Sequence, residues 1–212
     1  AVYCGYKLKD AKATLHHTYL ALKDTTHYHF MLQYLAETYK QENDMKRYLQ
    51  TLEEGFAKYP RFPFFFPRLI EFYTQQNDLK KALDLCNKAL RNDSTSSIYN
   101  FSKSSVLLSM KQYDACRAIC QTMIARKDSL SGIYLNMGLA YFNQAVEMDK
   151  SLKQSASQRK EIMQLYQKAM PYLETYRKKA PDQKQVWGLP LYTIYLNLNK
   201  GKEFDEIDKL LR

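Results

Sequence analysis

The chain has 212 residues, 45% of them hydrophobic, with only 6 Gly and 6 Pro, a composition that supports many packed helices and few tight turns and excludes a disordered or collagen-like polymer. Its formal charge of +10 raises nucleic acid or anionic lipid as partners, yet the excess is spread thinly: residues 1–62 hold 9 basic and 7 acidic residues, 63–130 hold 10 and 6, and 131–212 hold 13 and 9, where a phosphate-binding face gathers its cations on one stripe. No apolar run approaches the roughly 18 residues that cross a bilayer and no charged-then-apolar export signal opens the chain, although a start at Ala1-Val2-Tyr3-Cys4-Gly5, already in helical pattern, reads as a cut from a longer precursor.

Taken in chain order, residues 1–7 and 10–23 read as the tail of one helix and its partner. Apolar residues at helical spacing then predict first helices at 30–42, 65–76, 98–110 and 132–148, alternating with second helices at 44–58, 78–91, 113–126 and 159–179. A final pair falls at 185–198 and 203–211. Polar breaks such as Asn43-Asp44 and Asn77-Asp78 separate the members of a pair, the Asp in each being able to accept from the orphan amides of the next helix. A 34-residue spacing runs through these elements: Tyr39, Tyr73, Leu107 and Tyr141 share it, as do Ala36, Ile70, Ser104 and Gly138, and Cys86 and Cys120. Such a period marks a stack of like units that bury their apolar faces against neighbours. The fold class expected is all-α, a right-handed α-solenoid of antiparallel helix pairs. It forms one domain over 1–212, with a partial repeat at 1–28, repeats at 29–62, 63–96, 97–130 and 131–183, and a last pair at 184–212.

These residues resemble the tetratricopeptide repeat, whose pattern runs from a bulky residue through Leu-Gly, Tyr, Ala, an aromatic or Leu, and Ala to Pro. The first full repeat matches it at Leu32, Leu35-Ala36, Tyr39, Leu52 and Pro60; the second at Phe66, Leu69, Tyr73, Ala82 and Ala89. The fourth matches at Tyr134, Met137-Gly138, Tyr141, Ala169, Leu173 and Pro181. The third is loosest, with Ser104, Leu107, Cys116, Cys120 and Met123 in place and Asp128 where Pro is expected. The order of features is similar to that of bacterial cell-envelope tetratricopeptide proteins, which implies an exported protein. Family members that clamp a terminal carboxylate use Lys and Asn on the groove side of successive first helices. Here those places hold Gln33, Glu37 and Ser102, and only Asn136 matches.

Between Tyr141 and Ala169 lie 27 residues where the repeat allows 8, an insertion of 19. Met148, Ile162, Met163, Leu165 and Tyr166 can continue an apolar stripe, so both helices are expected to lengthen around a polar hairpin at 149–158. That hairpin is either a tolerated length change or a partner-contact arm. The aromatic stretch 59–68 is either the junction between two helices, Pro60 ending one and Pro63 and Pro67 opening the next, or a docking patch displaying Phe64 and Phe65.

The six glycines cannot form a phosphate-cradling loop or a nucleophile elbow, and no His-Glu-x-x-His occurs. His16 and His17, being adjacent, point to different sides of a helix, His27 and His29 lack nearby Cys or carboxylate partners at ligand spacing, and Glu53-Glu54 reads as a solvated face. Neither an enzyme, a cofactor nor a metal site is expected. Cys86, Cys116 and Cys120 sit at interior positions of second helices, and buried free thiols suit a reducing compartment such as the cytoplasm. That pulls against the cell-envelope resemblance.

The function this pattern supports is a non-catalytic scaffold that binds a protein, as a peptide or a helix, in its concave groove. A recruiting module of a larger enzyme or transport system and a nucleic-acid binder are the alternatives, and no small-molecule substrate is indicated. The groove residues expected are Glu37 and Glu71 in an anionic first part, then Phe101, Leu108, Asn136, Leu139, Phe142, Asn143, Tyr192 and Tyr195 in an apolar second part.

Overall fold

The structure is a computed structural model that describes residues 2–21, 27–150 and 155–211. Among these residues there are twelve α-helices and no strand. α1 spans Val2–Lys7, α2 Ala11–Ala21, α3 Tyr28–Gln41, α4 Met45–Lys58, α5 Phe65–Gln75 and α6 Leu79–Asn92. These fall in a compact unit, Ala1–Asp93. The second unit, Ser94–Arg212, holds α7 (Ser97–Ser109), α8 (Tyr113–Ala125), α9 (Gly132–Asp149), α10 (Ala156–Lys179), α11 (Lys184–Asn197) and α12 (Gly201–Leu211).

The 34-residue recurrence is written into the backbone at the turns. Lys9, Asn43, Asn77 and Lys111 follow one another at that interval, and each adopts the left-handed conformation with φ between 55° and 60°. The next amide in each case returns to the carbonyl five residues earlier: Asp10 to Gly5, Asp44 to Tyr39, Asp78 to Tyr73 and Gln112 to Leu107, all at 2.8–2.9 Å. This satisfies the last carbonyls of one helix and reverses the chain. The Asp10, Asp44 and Asp78 carboxylates then accept from the amides of Ala13, Arg47 and Lys81, capping the second helix. Gln112 makes no side-chain cap.

In the first unit, Leu32, Leu35, Ala36 and Tyr39 of α3 bury against Tyr48, Leu52 and Phe56 of α4, and Leu69 and Tyr73 of α5 lie with Ala82, Leu85, Cys86 and Ala89 of α6 in the interior. The aromatic stretch is part of this core. Phe64, Phe65 and Phe66 are only 5%, 0% and 2% exposed, which overturns the docking-patch reading of Phe64 and Phe65. Phe65 lies so close to α4 that a β-carbon on Gly55 would stand 2.2 Å from its ring.

In the second unit the insertion is absorbed largely by lengthening α9 to 18 residues and α10 to 24. α10 begins at Ala156, earlier than the expected 159, because Ser155 and Gln158 form a reciprocal capping box. Ala145, Ile162, Leu165 and Tyr166 are buried and Met148 packs against them, as the apolar stripe predicts. Of the expected hairpin, residues 151–154 lie outside the described residues. Cys86, Cys116 and Cys120 are buried, and the hydrogen bond with Cys120, together with burial, pushes the Cys116 thiol up.

Two substitutions test this account. Lys127 closes α8 at φ 59°, a conformation that costs an L-residue roughly 1–2 kcal/mol, so Lys127→Gly is expected to stabilise the chain by about 1 kcal/mol in denaturant melts. Gly55→Ala gains helix propensity but collides with Phe65, and is expected to destabilise by about 1–3 kcal/mol. A stabilised Gly55→Ala variant would show that α4 and α5 have room to part.

Candidate protein-binding faces

Which side of a first helix turns inward is fixed by its tyrosine. The phenols of Tyr19 and Tyr39 are 2.6 Å apart, Tyr73 donates to Glu53 Oε1 at 2.5 Å, and Tyr195 donates to Glu174 Oε1 at 2.9 Å. In each case the last turn of a first helix is tied to the preceding second helix. Burial, then the hydrogen bond with Tyr19, pushes the Tyr39 phenol up to about 12, and burial followed by a carboxylate acceptor raises Tyr73 and Tyr195 well above the ordinary value. Glu53 and Glu54 therefore do more than solvate a helix face, since Glu54 in turn accepts from Tyr28 at 2.6 Å and from Lys58 at 2.8 Å.

Tyr195 is thereby removed from the groove. It is 2% exposed, and its carbonyl accepts from Lys200, five residues on, as those of Tyr39 and Tyr73 accept from Asp44 and Asp78. It holds in α11 the inward place that Tyr141 holds in α9, 54 residues earlier. Applying that interval to Leu135 and Phe142 gives Leu189 and Leu196, neither of which the periodicity reading chose. They are 68% and 54% exposed. The repeat period of 34 plus the insertion of 19 gives an interval of 53; the turn at Asn199 and Lys200 sets it one residue longer, which sequence counting does not reveal.

The first-helix face of the first unit carries Gln33, Glu37 and Gln41 on α3 and Arg68, Glu71 and Gln75 on α5. Glu37 accepts from Arg68 Nε at 3.0 Å, and the Arg68 guanidinium also lies 3.7 Å from the centre of the Phe64 ring. The charge of Glu37 is thus neutralised within the unit, contrary to the anionic groove expected there. Glu71 is exposed and accepts from the Gln75 amide at 3.2 Å.

The face of the second unit is built by α7, α9 and α11. Phe101 lies over the start of α9, where a β-carbon on Gly132 would stand 2.6 Å from its ring. Leu108, Leu135, Leu139, Phe142 and Asn143 are half-buried. Asn136 is a second correction: it is 5% exposed and donates to Ser104 Oγ and Ser105 Oγ, both at 2.8 Å. Its amide joins α7 to α9 and is spent there, which removes the one residue that matched a carboxylate clamp. Tyr192 turns towards α12, its ring 4.7 Å from that of Phe204.

Among the described residues no group of three His, Cys, Asp or Glu side chains could hold a metal ion, and no helix is long and apolar enough to cross a membrane. A cavity of about 590 Å³ in the first unit, floored by Phe56, Leu69 and Leu85, is rimmed by both signs of charge, Glu53 and Asp84 with Lys81 and Lys88.

The tyrosine ties have a pH signature. Because their folded-state values are raised, the stabilisation is complete below the ordinary tyrosine value near 10 and is lost as pH climbs from there through the folded values. The melting temperature is expected to fall from about pH 10 upward, and to fall less steeply in a Tyr73→Phe, Tyr195→Phe double variant. Parallel curves for the two proteins would mean that these phenols do not couple neighbouring helices.

No protein-family model matches the chain, and no curated protein matches it. Solved structures do. MamA, residues 41 to the end, from Desulfovibrio magneticus RS-1 is 16% identical with a TM-score of 0.59, over 87% of this chain and 95% of that one. PilW, a widely conserved type IV pilus biogenesis factor, is 15% identical with a TM-score of 0.57, over 99% and 88%. The human IFIT1 dimer with m7Gppp-AAAA is 14% identical with a TM-score of 0.66; the match covers 96% of this chain and 46% of that one. At such identities the likeness is one of fold, and together with the helix pairs and their repeating turns it shows that the chain has the all-α solenoid fold of tetratricopeptide-repeat proteins.

Proposed function

We propose that this chain is a non-catalytic scaffold for protein–protein interaction, and that it holds a peptide or helix of its partner on the first-helix face of α7, α9 and α11. The observation that carries the reading is the exposure of Leu189 and Leu196, at 68% and 54%, in register with half-buried Leu108, Leu135, Leu139 and Phe142. Covering a leucine side chain fully is worth about 1.5–3 kcal/mol, so two exposed leucines beside four half-buried apolar neighbours supply anchors of the kind that dominate protein interfaces. The capped RNA in the IFIT1 structure makes an oligonucleotide the competing ligand. A surface of leucine and phenylalanine without lysine or arginine is poorly suited to phosphates.

Photo-crosslinking from position 139 in the native cell identifies the partner, and calorimetry then measures it. Phe142→Ala with Leu196→Ala is expected to cost about 2 kcal/mol or more of binding energy while leaving the chain folded. Unchanged affinity in a folded variant would move the site off this face. Tight, steeply salt-dependent binding of random oligonucleotides would replace the protein reading with a nucleic-acid one.

A further inference from the structure

The face on which the proposed function rests has a narrower chemistry than its leucines alone suggest. α7, α9 and α11 carry four acidic or basic side chains between them, Lys103, Glu147, Asp149 and Lys184. Only Asp149, seven residues after Phe142, falls on the row of Leu135 and Phe142, and it does so at the very end of α9. At 100° per residue Lys103 falls on the opposite side of α7 from Phe101, Ser105 and Leu108. Glu147 and Asp149 lie in the last turn of α9, where Glu147 pairs with Lys111 at 2.6 Å, and Lys184 is the first residue of α11. A chain that is 25% charged thus leaves this surface uncharged except at the Asp149 end of α9.

Asn143 apart, most polar groups among the apolar ones are committed within their own helices. Ser105 Oγ donates to the Phe101 carbonyl and Ser109 Oγ to the Ser105 carbonyl, both at 3.1 Å. Thr193 Oγ1 donates to the Leu189 carbonyl at 2.9 Å, and Asn197 Nδ2 to the Thr193 carbonyl at 2.8 Å. An extended occupant brings an amide and a carbonyl with every residue, and against leucines and spent hydroxyls many of these would go unpaired. A helix pairs its own backbone and presents only side chains. A charge on the central part of its docking side would be stripped of water and meet no counter-charge.

Resting on the reading that this face is the binding site, we infer that its occupant is an α-helix of a partner protein whose docking side is apolar and uncharged. Neighbouring packed helices lie about 8–10 Å apart, close to the rise of about 10.5 Å over seven helical residues. A helix crossing α7, α9 and α11 therefore meets their rows with apolar residues seven positions apart.

The test uses the whole chain and an end-blocked peptide of about sixteen residues, with leucines along one helical face and charges only on the other, read by fluorescence anisotropy. Binding is expected to change little between about 0.05 and 0.5 M NaCl. It should weaken by at least about tenfold when a central leucine becomes lysine, or when two central residues become proline. Leu196→Asp and Leu189→Asp, at exposed positions that leave melting unchanged, are each expected to weaken it by a similar factor. Equal binding of the proline peptide, still lost in Leu196→Asp, overturns the helical occupant and keeps the face. Equal binding of the leucine peptide to both aspartate variants overturns the face itself, and with it the proposed function. Failure of the leucine peptide to bind the native chain overturns the inference.

Discussion

The faces of the first helices depend on one backbone arrangement, the left-handed residue that closes a first helix and the amide after it that returns to a carbonyl five residues back. At Lys9, Asn43, Asn77 and Lys111 this turn recurs at a fixed interval, and Lys200 makes the same return to Tyr195 after Asn199 at φ 52°. The turn sets where the second helix starts. It also fixes the rotational position of the last residues of the first helix: in α3, α5 and α11 a tyrosine carbonyl sits at the turn and the ring points towards the preceding second helix. Once that ring is placed inward, a residue about 100° per position away is placed too, and the outward row follows without freedom to choose.

The helices were legible because their signals are local and redundant. Apolar periodicity, Asp at the N-caps and Asn at the turns point to the same boundaries, and sequences in which such cues agree have little room for an alternative. Side-chain placement was legible only where the 34-residue count ran unbroken. The insertion between Tyr141 and Ala169 destroyed the count for α11, and aromatic character then drew attention to buried Tyr195 and to Tyr192, which turns towards α12, and away from exposed Leu189 and Leu196. Glu37 failed for a different reason. Its charge is real, but Arg68, 31 positions away, cancels it, and no reading of one helix face at a time reveals a pair made across two.

The polar ties between neighbouring helix pairs vary in chemistry while keeping one purpose. In the first unit Tyr39 meets the hydroxyl of Tyr19 and Tyr73 meets the carboxylate of Glu53. In the second, Tyr195 meets Glu174, whereas α7 and α9 are joined by the Asn136 amide reaching Ser104 and Ser105. Repeat arrays are stable in proportion to such nearest-neighbour terms, and each tie orients a partly buried group that would otherwise be left unsatisfied. At Asn136 and Ser105 the polar atoms are consumed holding α7 and α9 together and are not left for a partner.

That commitment shapes what the second unit can bind. Under the proposed function, a groove whose hydroxyls and amides are largely engaged within and between its own helices recognises a partner through shape and apolar contact, with little left for reading a backbone or a charge. Discrimination then comes from exclusion, since a charged or unpaired polar group entering the face loses water and gains nothing in return. The formal charge of +10 works in the same direction from outside. Like-charged copies repel one another over the range set by salt, which disfavours covering Leu189 and Leu196 with a second copy of the same chain and favours a partner whose outer surface is neutral or acidic and whose docking side is bare hydrocarbon.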